Sequence, residues 1–243
     1  MKVTVEGNGQ SREVDIYSDE GFKLMAELWT KTSVQHRIMY EPTWLGIPII
    51  QYPGDIVMMQ ELLWKVRPDV VIETGVAHGG TAVMYASILE LLGKGRVIGI
   101  DVEIRQHNKV AIESHPMSKR ISLIEGSSID ESIVGQVKDM IKDSLKVLVT
   151  LDSNHSYEHV IREMELYSPM VSADSYLVVM DGAQALVWDI PDGKPQWKDD
   201  NPLKAIEEFI ENNPQFEIDP RYNRLQITSN PQAFLHKLRA QEI

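Results

Sequence analysis

Short, almost continuously apolar runs alternate with helical patterns along the chain from Arg67 onward. The runs are VVIET (Val70–Thr74), VIGID (Val97–Asp101), ISLIE (Ile121–Glu125), VLVTLD (Val147–Asp152) and YLVVMD (Tyr176–Asp181). Such runs are typical of parallel strands that are covered on both faces. Between them, stretches such as ESIVGQVKDMIKDSL carry apolar residues three and four positions apart, which predicts helices. The alternation predicts an α/β fold with five parallel strands and helices on both faces of the sheet.

The pattern changes after the fifth predicted strand. The segment Gly182–Asn201 contains two prolines, two tryptophans and no clear periodicity, and it predicts a long loop of a kind that is often functional. A predicted helix in PLKAIEEFIENN follows. The next two runs, FEIDP and LQITS, lie too close together for a parallel crossover and predict a C-terminal antiparallel hairpin. Five parallel strands with such a hairpin match the topology of the Rossmann-like class I methyltransferase fold.

The residues before the first predicted strand show two helical patterns. A helix is expected over Glu20–Ser33 and another over Ile56–Val66, joined by the loop TWLGIPIIQYPGD. We interpret residues 1–66 as an N-terminal helical cap of the same domain and residues 67–243 as its core. A separate N-terminal domain is the alternative.

Composition limits the classes of partner. The net charge of -12 over 243 residues, without local basic clusters, argues against a nucleic-acid or anionic-membrane surface. The absence of cysteine excludes disulfides and thiolate metal ligands, so a metal would be bound by oxygen or imidazole. The first residues lack the apolar core of a signal peptide, and no apolar run approaches a membrane span. A cytoplasmic protein is therefore expected.

The first predicted strand leads into a glycine-containing turn, in DVVIETGVAHGGTAVMYASIL. Gly75, Gly79 and Gly80 follow Glu73 in a G-x-x-x-G-G spacing, which does not match the dinucleotide fingerprint. Glycines let a ligand approach the backbone, and the start of the next helix offers unpaired N–H groups. Glu73 is a poor neighbour for phosphate but a good one for a cationic ligand, such as the sulfonium and amino groups of S-adenosylmethionine.

Polar residues also end the next two predicted strands. Asp101 is placed to accept hydrogen bonds from both hydroxyls of a ribose, and Ser127 and Ser128 are placed to border an adenine. Each feature alone is more often an ordinary structural turn. Because ligands of open α/β sheets bind at the carboxyl ends of strands, three such ends in succession favour a cofactor site.

Two acids stand at the ends of the fourth and fifth predicted strands. Asp152 and Asp181 would share one rim of the sheet and suit a hard cation such as Mg²⁺. His155 lies three residues past Asp152, within reach of a substrate hydroxyl that it could deprotonate as general base. The alternative is that Asp152 caps the following helix and that His155 packs or faces solvent.

These motifs, together with GRVIGIDVEIR, LIEGSS, LDSNHSYEHV, SYLVVMDG, NPLKAIEEFI and ITSNPQAFLHKLR, resemble the cephalosporin hydroxylase and rhamnosyl O-methyltransferase family over Trp44–Arg239. The resemblance implies S-adenosylmethionine, often Mg²⁺, and methylation of a hydroxyl on a small-molecule acceptor, a sugar or secondary metabolite. It also implies antibiotic or other natural-product tailoring, and a homo-oligomer. Carried over by position, the cofactor residues are Glu73, Gly75, Gly79, Asp101, Ser127 and Ser128; the metal ligands are Asp152 and Asp181; and the base is His155.

One position departs from this resemblance. Some relatives carry Glu-Asp at the end of the fifth strand, whereas this chain has Met180–Asp181 followed by Gly182. Thioether sulfur is a poor ligand for Mg²⁺. The site could therefore bind metal weakly, recruit Asp189, complete its shell with water, or hold no metal.

Two other functions stay open from the sequence. A hydroxylase-type tailoring enzyme is disfavoured, because an iron facial triad needs two histidines and only His155 is suitably placed. A non-catalytic partner that retains the fold is the second alternative, and the change at Met180 is the feature that supports it.

Overall fold

The computed structural model describes residues 1–7 and 10–239. Within these residues, no helix combines the length and the apolar character needed to cross a membrane. The helices and strands are, in chain order, β1 (Lys2–Gly7), β2 (Gln10–Asp15), α1 (Asp19–Gln35), β3 (Thr43–Trp44), β4 (Ile47–Pro48), α2 (Pro53–Val66), β5 (Val70–Thr74), α3 (Gly80–Leu91), β6 (Arg96–Asp101), α4 (Gln106–Ser114), β7 (Ile121–Glu125), α5 (Glu131–Ile141), β8 (Val147–Leu151), α6 (Tyr157–Tyr167), β9 (Tyr176–Val179), α7 (Gln184–Val187), α8 (Pro202–Asn212), β10 (Phe216–Ile218) and β11 (Phe234–Lys237).

A seven-stranded sheet organises the chain, in the order β10-β11-β9-β8-β5-β6-β7. The five strands from β9 to β7 are parallel, whereas β11 runs antiparallel to both β9 and β10. The strand order reverses between β5 and β8, the kind of switch point at which open α/β sheets bind ligands. The predicted α/β fold with five parallel strands is confirmed, with strand ends within two residues of those expected.

Two apolar layers cover the two faces of this sheet. On one face, α5, α6 and α8 contribute buried side chains that include Val137, Met164 and Phe209. On the other face, α2 and α3 contribute buried side chains that include Leu62 and Leu89. The central strands are apolar on both sides because each face is buried, which confirms the predicted helices on both faces.

The predicted C-terminal hairpin needs a correction. β10 forms where FEIDP predicted it, but LQITS (225–229) is not a strand, and the antiparallel partner of β10 is β11. The reason lies in long-range hydrogen bonds, because the buried Asp55 binds the hydroxyls of Thr228 and Ser229 and the N–H of Ser229. These contacts hold the segment against α2 instead of in the sheet.

The N-terminal segment contains the two predicted helices as α1 and α2, and the hydroxyls of Ser33 and Tyr52 join them at 2.6 Å. Its first residues form the antiparallel hairpin β1–β2, which the sequence pattern did not predict. Residues 8 and 9 of the predicted cap and residues 240–243 of the predicted core lie outside the described residues.

Gly75 allows β5 and β8 to approach each other at the switch point. It has a φ of +86°, and a Cβ atom built there would lie 1.9 Å from the carbonyl oxygen of Asp152. Such a distance is far inside van der Waals contact, and the φ value is costly for any residue with a Cβ. Glycine at this position is therefore a packing requirement of the sheet edge.

We expect Gly75→Ala to destabilise the protein by about 2–4 kcal/mol, from the left-handed backbone and the collision combined. Gly46→Ala separates the two effects, since Gly46 has a φ of +92° with nothing within 4 Å, and should cost only about 1–2 kcal/mol. Gly135→Ala, inside α5 with open space around it, should stabilise by about 0.5–1 kcal/mol. Urea unfolding checks all three, and equal losses for Gly75→Ala and Gly46→Ala would contradict the collision.

Candidate active site

The parallel register brings most of the predicted site residues to one edge of the sheet. Thr74 pairs with Leu151, and Leu151 pairs with Val179, so β5, β8 and β9 end side by side. Glu73 is the second-last residue of β5, and Asp152 directly follows β8. Asp181 follows β9 with Met180 between them. The carboxylates predicted from three separate motifs therefore lie at the same edge.

The glycine turn between β5 and α3 is supported by Asp101 at the end of β6. The carboxylate oxygen Oδ2 of Asp101 accepts hydrogen bonds from the N–H groups of Val76 (2.8 Å) and Ala77 (3.0 Å). Ala77 has a φ of +48°, and Gly79, with a φ of +88°, is the N-cap residue that precedes α3. Asp101 thus holds the turn in shape while it borders the adjoining cavity.

A cavity of about 550 Å³, here called the cofactor cavity, opens beside this turn. Its lining includes Gly75, Asp101, Ser127, Ser128 and Asp152, which are five of the predicted site residues. The volume is in the range of small-molecule sites. The Ser128 hydroxyl also lies 3.2 Å from Nε2 of His159, a second histidine on the cavity wall.

Glu73 is fully buried, and neither of its carboxylate oxygens has a hydrogen-bond partner. Burial and the nearby charge of Asp101 raise the pKa of Glu73 to about 8, and the neighbouring Thr81 hydroxyl opposes this shift. A buried acid without a partner is costly for the protein alone. A cationic group bound next to the turn would offset that cost.

Asp152, His155 and Asp181 form a group whose ligand atoms all lie within 4.8 Å of one another. Nε2 of His155 is 3.2 Å from Oδ2 of Asp181. Burial, Asp181, Glu73 and Glu163 raise the pKa of Asp152 well above its usual value. Two oxygen donors and an imidazole at this spacing fit a divalent cation, which would relieve the repulsion between the carboxylates.

The alternative that Asp152 caps the following helix does not match the geometry. At the start of α6, the N–H of Ser156 donates to Asn154, and the N–H of Tyr157 donates to Asp200. The carboxylate of Asp152 accepts instead from the side-chain amide of Gln51, at 3.3 Å. The carboxylate of Asp152 therefore does not act as the cap of α6.

Neither Met180 nor Asp189 belongs to this group of possible metal ligands. Met180 is buried within the apolar layer that contains α2 and α3, so its sulfur takes no part in the metal-sized group. Asp189 forms an ion pair with Lys31 at 2.8 Å and is not a member of that group. The third member of that group, beside the two carboxylates, is His155.

Two further cavities meet at His155. A cavity of about 760 Å³, here called the outer cavity, is lined by His155 and Asp181 and by residues of α1, α7 and the segment after α1. A smaller one of about 200 Å³ shares His155 with both the outer and the cofactor cavity. His155 therefore stands where the three spaces adjoin.

Several residues of the site carry no motif in the sequence. Gln51 and Asn230 contact the two strand-end acids, from loops far apart in the chain. Among the aromatic residues, Trp197 lines the outer cavity. By contrast, Nε1 of Trp44 donates to the Ser87 hydroxyl, and the hydroxyls of Tyr52 and Ser33 contact each other, both within the packing. The turn sequence Asn230–Pro231 is the one local signal that marks any of them.

The chain is similar to known proteins over most of its length. The family model described as rhamnosyl O-methyltransferase/CmcI matches residues 36–238. The rhamnosyl O-methyltransferase of Mycobacterium tuberculosis is 32% identical over 215 residues, covering 86% of this chain and 79% of that protein. The rhamnosyl O-methyltransferase of Mycobacterium leprae is 30% identical over 159 residues, covering 65% of this chain and 67% of that protein.

Solved structures share the fold at low sequence identity. An apo-structure of CmcI aligns with a TM-score of 0.60 at 17% identity, over 83% of this chain and 78% of that one. A CmcI structure with Mg and SAM gives 0.56 at 16% identity, over 82% and 78%. The MycE methyltransferase of the mycinamycin pathway, in complex with Mg, SAH and mycinamycin VI, gives 0.51 at 19% identity, over 77% and 48%.

The raised pKa of Glu73 gives a prediction for stability against pH. In the unfolded chain Glu73 loses its proton near pH 4.5, whereas in the folded chain it keeps it until about pH 8. Between these values the folded state binds the extra proton, so this residue's contribution to stability falls as pH rises. Relative to wild type, Glu73→Gln should gain stability between pH 5 and pH 8, by up to about 1.4 kcal/mol per pH unit.

Urea unfolding of the ligand-free protein at several pH values measures this difference. Glu113→Gln, at an exposed position of α4, controls for the change of residue type itself. A constant stability difference between Glu73→Gln and wild type across this pH range would contradict the raised pKa of Glu73.

Proposed function

The chain belongs to the rhamnosyl O-methyltransferase/CmcI family and is an S-adenosylmethionine-dependent O-methyltransferase, and we propose that it methylates a hydroxyl of a sugar or sugar-bearing natural product. The position of His155 carries the proposal, because this residue lines the cofactor cavity, the outer cavity and the smaller cavity that adjoins both. A general base must lie within hydrogen-bond reach of the acceptor hydroxyl, and that hydroxyl must lie beside the methyl donor.

The cofactor cavity is the proposed site of S-adenosylmethionine. When bound, this cofactor supplies a methyl group on a positively charged sulfur, which an oxygen nucleophile attacks in line. Asp101 would accept the ribose hydroxyls, and Ser127 and Ser128 would border the adenine. Gly75 and Gly79 keep the backbone close to the ligand, and the buried carboxyl group of Glu73 favours a cationic one, beside which it could ionise.

Asp152 and Asp181 are the proposed ligands of Mg²⁺. Bound there, the ion would polarise a substrate hydroxyl and lower its pKa. The two carboxylates follow adjacent strands and line the smaller cavity, so they would orient an acceptor oxygen toward the cofactor cavity.

His155 is proposed to take the proton of the acceptor hydroxyl. Its Nε2 contacts Asp181, which would fix the orientation of the ring and stabilise the imidazolium that forms. A ring nitrogen that binds a metal cannot accept a proton, and the proposal assigns His155 to proton transfer and the metal to the two carboxylates. The variants below distinguish these two roles.

The outer cavity is the proposed site of the acceptor. Its wall combines apolar side chains, among them Val34, Val187 and Trp197, with charged ones such as Arg37 and Asp192. Such a mixed wall suits a sugar attached to an apolar body, because polar groups can bind the sugar hydroxyls while apolar ones cover the rest. Similar proteins support an acceptor of this kind, since they include a rhamnosyl O-methyltransferase and a methyltransferase structure with mycinamycin VI.

We expect His155→Ala to lower methyl transfer by at least about 100-fold and to leave the affinity for S-adenosylmethionine within a factor of about three. Transfer of a labelled methyl group to an acceptor found by screening extracts measures the first effect, and calorimetry measures the second. His236→Ala is the matched control, because His236 pairs with the first residue of β9, at the opposite edge of the sheet. Retained turnover in His155→Ala would remove it as base, and lost Mg²⁺ binding would make it a metal ligand instead.

Asp152→Asn and Asp181→Asn should each abolish measurable Mg²⁺ binding, since each removes one charged oxygen ligand. For Asp152→Asn we also expect the ligand-free protein to become more stable, because it loses a carboxylate that its neighbours repel. Calorimetric titration of Mg²⁺ in the presence of S-adenosylhomocysteine, and the Tm of the ligand-free variants, check both effects. A lower Tm together with unchanged Mg²⁺ affinity would contradict the assignment.

A further inference from the structure

We propose that Gln51 and Asn230 form a buried amide pair that positions Asp152 and Asp181 for the divalent cation, an inference that rests on the metal site proposed above. Neither residue belongs to a catalytic motif, and both lie outside the strands that carry the acids. They act through the carboxylates and are positioning residues.

A continuous chain of hydrogen bonds links the two acids through these amides. Nε2 of Gln51 donates to Oδ2 of Asp152 at 3.3 Å, and Nδ2 of Asn230 donates to Oε1 of Gln51 at 3.4 Å. The backbone N–H of Asp181 then donates to Oδ1 of Asn230 at 2.9 Å. Gln51 is 5% exposed and Asn230 is 1% exposed, so the chain is shielded from water.

The chemistry of an amide suits this task. Lysine or arginine beside Asp152 would also hold the carboxylate, but its positive charge would neutralise the acid and compete with a metal ion. An amide donates a hydrogen bond while it leaves the full negative charge in place. Gln51 therefore restricts Asp152 without reducing its attraction for a cation.

Asn230 holds the second acid through the backbone. Asp181 has a φ of +59°, a conformation that is uncommon for a residue other than glycine and that needs support from its surroundings. The hydrogen bond from its N–H to Asn230 supplies that support and sets the direction in which its side chain leaves the strand end.

The amide pair is itself fixed from the N-terminal side. Asp55 in α2 binds Thr228 and Ser229, which precede Asn230, and Nδ2 of Asn223 donates to the carbonyl of Asn230 at 2.8 Å. Met180 borders the same small hollow as Gln51 and Asn230. Because a thioether sulfur is only a weak hydrogen-bond acceptor, Met180 does not draw either amide away from the two aspartates.

Mg²⁺ titration by calorimetry, with S-adenosylhomocysteine present, tests the proposal without any acceptor. We expect Gln51→Met and Asn230→Leu each to weaken Mg²⁺ binding by about 10- to 100-fold, the usual cost of losing groups that orient metal ligands. Because the two amides act as one chain, the double variant should bind hardly more weakly than the worse single variant. Asn213→Ala, which loses a side-chain hydrogen bond at the end of α8, should lower the Tm and leave Mg²⁺ affinity unchanged.

Each outcome decides the matter. Mg²⁺ affinities within a factor of two of wild type, with a Tm lowered as in Asn213→Ala, would make the pair merely structural, and independent losses that multiply in the double variant would disprove the chain. If Gln51→Met does not fold, Gln51→Asn keeps an amide that is too short to bridge Asp152 and Asn230, and the same weakening is expected. Failure of the wild-type protein to bind Mg²⁺ would instead overturn the proposed metal site, and this inference with it.

Discussion

Crowding of negative charge at the carboxyl edge of the sheet is the constraint on which the site depends. Glu73 is buried with both oxygens unpartnered, Asp152 accepts from a neutral amide, and Asp181 faces an imidazole. The charges raise one another's cost, since Asp181 and Glu73 both raise the pKa of Asp152. Such an arrangement lowers the free energy of unfolding. The burial of the two apolar layers on the sheet offsets this cost.

The same arrangement explains why the ligands proposed for the site are cations. A sulfonium beside the glycine turn and a divalent ion between the aspartates would each remove a cost that the protein alone bears. Binding energy would then come partly from relief of repulsion that the fold has already imposed. The neutral amides around the acids fit this view, since they fix geometry and leave the charge for the ligand.

The sequence predicted those elements whose structure depends on neighbouring residues, namely the parallel strands and the acids that end them. The five parallel strands are apolar on both faces, and their terminal acids follow at once, so Asp101, Asp152 and Asp181 could be predicted to share an edge. The second strand of the C-terminal pair could not, because the alternation in LQITS is overridden by hydrogen bonds that Thr228 and Ser229 donate to Asp55, 173 residues away from Thr228. Gln51 and Asn230 were missed for the same reason, since their contact spans 179 residues and no motif joins them.

The buried acids of the site are arranged to bind positively charged ligands. Calorimetry of S-adenosylmethionine and Mg²⁺ binding at pH 7, repeated in buffers of different ionisation enthalpy, measures the protons exchanged on binding. Because Glu73 has a pKa of about 8 in the free protein, we expect it to release its proton when the cations bind, so the binding heats should depend on the buffer. Binding heats that do not depend on the buffer would contradict it.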